Sequence, residues 1–112
     1  MNVVVVQGTL SSEPRERLLP SGSTIVNWEV TTSPSSGPKL SVPVQWEDPG
    51  VSIRSCSEGD EVMVLGTIRR RFFSANGIRA SRVEVHASVF ANPARAAAVS
   101  RLRKKADGLL AG

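Results

Sequence analysis

Apolar and polar residues alternate with a period of two along most of this chain, and turn-forming clusters interrupt the alternation at short intervals. That pattern predicts an all-β domain. Five strands are drawn: Asn2 to Leu10, Thr24 to Thr32, Leu40 to Trp46, Glu61 to Phe73 and Ile78 to Phe90. Gly8 marks a bend or bulge in the first, and Pro43 marks an edge or bulge in the third. Ser11 to Pro20 reads as polar and turn-rich, Pro20-Ser21-Gly22-Ser23 as a tight turn, and Ser33 to Lys39 as a loop. Val51 to Cys56 reads as a short helix or an irregular crossover. Asn76-Gly77 between two β runs is a strong hairpin signal. After Ala91 the composition shifts to Ala, Arg and Leu, which predicts a helix from Pro93 to Asp107 with Asn92 as N-cap and Gly108 as its stop. Ala94, Ala98, Leu102 and Ala106 form its apolar stripe.

A length of 112 residues fits one domain, divided here into a β unit over 1–91 and a basic segment over 92–112. Cys56 is the single cysteine, so no internal disulfide forms, and no Cys/His cluster has metal-ligand spacing. A reducing cytoplasm fits that usage, and no run approaches a membrane span. The net charge of +4 conceals a segregation. Residues 1–65 sum to −4, residues 66–82 to +5 through Arg69, Arg70, Arg71, Arg79 and Arg82, and residues 92–112 to +4. Two basic patches on a near-neutral body are the footprint of a polyanion partner.

Catalysis has little to work with, because His86 is the only histidine and no phosphate loop, dinucleotide fingerprint or nucleophile elbow is present. No enzymatic activity, cofactor or metal is expected. The fourth strand is more informative. Alternation puts Val62, Val64, Gly66, Ile68 and Phe72 on one face, expected to be the core face, and Met63, Leu65, Thr67, Arg69, Arg71 and Phe73 on the other. Guanidinium groups beside an aromatic ring are what single-stranded nucleic acid requires, the former for phosphates and the latter for base stacking.

Five strands, a crossover after the third and a hairpin of the last two predict a five-stranded OB-fold barrel with a C-terminal α-helix. The run Val62 to Phe73, V-x-V-x-G-x-I-x-x-R-x-F, resembles the fourth strand of bacterial single-stranded DNA-binding proteins. N-V-V-V-V-Q-G-T-L, L-P-S-G-S, I-V-N-W-E-V-T-T-S, V-P-V-Q-W and E-G-D-E-V resemble the rest of that family's domain, in order, over residues 2–90. The resemblance implies sequence-tolerant binding of single-stranded DNA in replication, recombination or repair, in the cytoplasm at the nucleoid, by a homo-oligomer: a tetramer, with a dimer as the alternative. It implies stacking by Phe73 and Trp46, while Arg69, Arg70, Arg71, Arg79, Arg82 and Lys39 are the candidate phosphate contacts. Two further family aromatics fall near Ser36 and Leu40, where this chain has no ring. Trp28 matches a core position. For Trp46 the two lines of reasoning diverge: alternation groups it with Leu40, Val42 and Val44 on a core stripe, and the resemblance turns it toward the groove. The family's acidic, partner-recruiting tip has no counterpart in the basic segment 92–112. That segment either contacts phosphates or packs on the barrel with its basic face exposed, and the second is preferred. Two alternatives stand beside DNA binding: an accessory OB-fold protein-interaction module, and an RNA-binding subunit with a basic tail.

Overall fold

A computed structural model describes residues 1–49 and 56–112. The chain is mostly β: β1 (Val4–Leu10), β2 (Arg15–Leu18), β3 (Thr24–Thr32), β4 (Leu40–Glu47), β5 (Glu61–Ala75) and β6 (Ile78–Ala91), followed by one helix, α1 (Ala96–Ala111). The expectation for Val51 to Cys56 falls outside the described residues except at Cys56. The six strands form one sheet in the order β1-β5-β6-β4-β3-β2, and five of them join into a ring because β1 also pairs with β3. β1 changes partner along its length: Val4 to Thr9 lie against β5, and Thr9 and Leu10 lie against Thr31 and Val30 of β3. β4 and β6 meet in parallel at Val44↔Val85 and Gln45↔His86, and the remaining pairs are antiparallel.

Close backbone crossings give two glycines their reason. A Cβ on Gly8 would strike the Thr31 carbonyl oxygen, and one on Gly66 would strike the carbonyl oxygen of His86. Gly66 lies where the β5–β6 register slips. Leu65 opposes Val89 and Gly66 opposes Ala87, so Ser88 is the extra residue of a bulge. Asn76 and Gly77 both have positive φ, 53° and 76°, as a two-residue type I′ hairpin turn demands.

The inward phase of the strands supplies the core: Leu10, Val26, Trp28, Val30, Val44, Val62, Val64 and Val85. Each fully buried leucine or valine contributes about 1.5–3 kcal/mol. A second cluster forms outside the ring, where α1 lays Leu102 and Ala106 over Met63, Leu65 and Ala91. Val62 to Gly66 are therefore buried on both faces of β5. Asn2 completes the β1–β5 ladder with its side chain, its Nδ2 donating to the Ile68 carbonyl and its Oδ1 accepting from the Ile68 N–H, both at 2.8 Å.

The structure departs from the sequence reading at β2, at both ends of the helix, and on the expected core face of β5, where Ile68 and Phe72 are exposed; at Pro43 it selects the edge over the bulge. Ser11 to Pro20 contains a strand, β2, paired to β3 from Arg15↔Asn27 to Leu18↔Thr24. Pro43 sits in regular register opposite Glu29, without a bulge. β4 has only one strand neighbour at that level, so the proline nitrogen can face the open side. The helix starts at Ala96, after an extended Arg95 (φ −104°), and Asn92 instead accepts the Ala94 N–H in the turn before it. Gly108 does not stop the helix: a glycine ends one only when it takes the left-handed conformation, and Gly108 keeps negative φ.

Candidate nucleic-acid interface

Beyond Ile68 on β5 and ahead of Glu84 on β6 the paired strands leave the ring as a two-stranded arm, and burial falls away on both faces. Directly opposed residues of an antiparallel pair share a face, so the register sorts the arm's side chains. One face continues the outside of the ring and carries Thr67/His86, Arg69/Glu84, Arg71/Arg82 and Phe73/Ala80. The other continues the inside and carries Ile68/Val85, Arg70/Val83, Phe72/Ser81 and Ser74/Arg79.

Arg69, Arg71, Arg82 and Phe73 are thus brought together on the outer face. Arg71 and Arg82 flank the Phe73 ring around a cleft of about 270 Å³, and Phe73 is 39% exposed. Arg70 and Arg79 lie on the opposite face, where Arg70 Nη1 donates to Ser81 Oγ at 3.1 Å. Phe72 also lies there, 72% exposed. Lys39 is exposed in the β3–β4 loop, at the same end of the ring as the arm, since β4 and β6 run in parallel.

Trp46 corrects the groove-facing expectation. The β3–β4 register is unbroken from Leu40 to Glu47, so Trp46 keeps the phase of Val42 and Val44, opposite Val26. It packs half-buried against the core. Trp28 is buried at 3% exposure, in the core position expected of it.

A row of residues that sequence reasoning missed crosses the same outer surface. The pairings Thr67↔His86, His86↔Gln45, Gln45↔Asn27 and Asn27↔Arg15 run across five strands. Gln45 Nε2 donates to Asn27 Oδ1 at 3.3 Å. Asn27 and Gln45 stand between core residues in sequence, Val26 and Trp28 for one, Val44 and Trp46 for the other. Polar residues on the outward phase of otherwise apolar strands were the available signal. A cleft of about 280 Å³ lined by Ser12, Arg15, Asn27, Trp28, Glu29 and Arg82 joins the row to the arm.

Glu84 sits inside this cationic surface at 2% exposure. Its Oε1 is 3.0 Å from His86 Nε2, and its Oε2 lies 3.6 Å from Arg82 Nε without a closer hydrogen bond. A buried carboxylate needs such partners, and here it draws Arg82 down toward the row. The surface as a whole offers cationic walls, a neutral amide floor and one accessible ring. Compared with known protein families, the chain matches none, and no curated protein matches it.

Proposed function

We propose that this protein binds single-stranded DNA with little regard to sequence, as an OB-fold barrel that makes and breaks no covalent bond. The order of the ring, β1-β3-β4-β6-β5, with a parallel closure between its third and fifth strands, supports the OB reading. Barrels of this kind bind oligonucleotides on the face of their second and third strands, between the loop joining strands one and two and the hairpin joining strands four and five. Here those places hold Asn27 and Gln45, Arg15, and the arm.

One observation carries the proposal: Arg69, Arg71, Arg82 and Phe73 share the outer face of the arm. Guanidinium groups hold phosphates, and a ring accepts any base because every base has a π-face. The resemblance adds an oligomeric assembly and a role in DNA replication, recombination or repair.

The test is anisotropy titration of oligo-dT and of duplex of equal length across a salt series. The expected result is tighter binding of the single strand, with log K falling against log salt by about 0.7 for each phosphate contact. Reversing Arg69 and Arg71 together to Glu flattens that slope by about 1.4 or more. Equal affinity for duplex at matched salt, or no binding of oligo-dT at low salt, overturns the proposal.

A further inference from the structure

The helix α1 carries more positive charge than its packing role calls for. Docking needs only the stripe of Leu102 and Ala106, with Ala98 and Val99 half-buried beside them. Yet Arg95, Arg101, Arg103, Lys104 and Lys105 stand on or beside the helix against a single acid, Asp107. All five are exposed, and none of their side chains has an ion-pair or hydrogen-bond partner among the described residues. A helix charged only for solubility mixes signs and gains from acid–base pairs four residues apart, acid first. This one has Arg103 ahead of Asp107, the less favourable order.

Position gives the charge a use. Met63 and Leu65, on which α1 rests, are on the same outer phase of β5 as Thr67, Arg69, Arg71 and Phe73. From Leu65 to Arg69 is four residues, about 13 Å along the strand. A helix with its side chains is about 10–12 Å across, so α1 stands as a raised basic wall on the face that farther along becomes the arm's arginine surface. Arg95 and Arg101 line a cleft on one flank of α1 with Phe90 and Asn92, while Arg103 and Lys104 line another with Pro93 and Ser100. The rest of the chain, residues 1–65 and 83–91, is net acidic. Arm and helix are therefore the two places where a polyanion is attracted, and both belong to one side of one β-ribbon.

We infer that α1 is a second phosphate-binding element, and that one DNA strand is held by the arm and the helix together. The inference rests on the single-strand reading and deepens it: the footprint is longer than the arm alone would give, and the helix supplies phosphate contacts without base stacking.

The experiment replaces Arg101, Arg103, Lys104 and Lys105 with Gln in the full chain and titrates it with oligo-dT of increasing length across salt. The expected salt slope on long oligonucleotides is shallower by about 0.7 for each helix cation engaged, up to about 2.8. The gain in affinity that the parent shows on lengthening the oligonucleotide is lost, while oligonucleotides long enough only for the arm bind as they do to the parent. Arg101→Lys with Arg103→Lys keeps the charge and keeps the parent's slope. The helix inference is overturned if the Gln variant melts like the parent and shows the parent's slope and length dependence. It is overturned equally if the Lys variant loses binding, since packing rather than charge would then be responsible. A parent chain that binds no oligo-dT at all is a different outcome, the failure of the single-strand reading itself.

Discussion

Two adjacent phenylalanines on opposite faces of the arm make a sharp test of the proposed single-strand binding and of the face assigned to it. Phe73 lies between Arg71 and Arg82 on the outer face, and Phe72 lies opposite Ser81 on the other. Neither ring belongs to either buried cluster, so truncating one to Ala leaves the fold within about 0.5 kcal/mol of the parent. Loss of a base-stacking ring costs about 1–3 kcal/mol, which is about 5- to 150-fold in dissociation constant. Phe73→Ala is therefore expected to weaken oligo-dT binding by that factor, and its salt slope stays unchanged because no charge has been removed. Phe72→Ala, which removes more exposed apolar surface, is expected to leave affinity within about two-fold. Anisotropy across a salt series measures affinity and slope for both variants, with melting curves to confirm equal folding. A larger loss in Phe72→Ala than in Phe73→Ala would refute the assignment and move the DNA to the face that carries Arg70 and Arg79.

Gly66→Ala drives a Cβ into the His86 carbonyl where the β5–β6 register slips, and it is expected to destabilise the fold by about 1–3 kcal/mol, read as a lower melting temperature. Leu102→Ala opens a cavity over Met63 and Leu65, and urea unfolding is expected to report a loss of about 2–5 kcal/mol. Burial, with the Asp60 charge behind it, raises the Cys56 thiol above its ordinary value of 9.0. The fold favours the neutral thiol, so its contribution is complete below the unfolded value and is lost as pH rises through the folded one. Stability is thus expected to fall more steeply above about pH 9 in the parent than in Cys56→Ser, measured by urea unfolding at pH 8 and pH 10.

What was legible in the sequence was what neighbours along the chain decide. The Asn76-Gly77 hairpin, the alternation of Val62 and Val64 with Met63 and Leu65, and the helix stripe at Ala98, Leu102 and Ala106, though not at Ala94, which is exposed ahead of the helix, each rest on local residues. Strand β2 was not legible, because Arg-Glu-Arg-Leu has no alternation of its own and becomes a strand only by pairing with β3. The site divides in the same way. Phe73 with Arg69 and Arg71 could be read from one strand. Arg15, Asn27, Gln45 and His86 come from four strands, and only the ring's register aligns them. Glu84 carried no signal as a buried acid, since its partners His86 and Arg82 became informative only with the register of β6 in hand. For Trp46 the simple alternation of its own strand proved the better guide to placement, because Pro43 leaves the phase intact.

The arm also bears on how the protein behaves in a tube. Its ribbon has two long edges, and Phe72 and Ile78 are each about 70% exposed on it. An edge of that kind is a template for another copy's edge. What keeps two arms apart is the like charge of five arginines within residues 69–82. That repulsion reaches about 10 Å at 0.1 M salt and only about 3 Å at 1 M. High salt therefore removes the electrostatic barrier to pairing between two arms. Dilute protein in moderate salt is the condition in which that repulsion still acts and few copies meet.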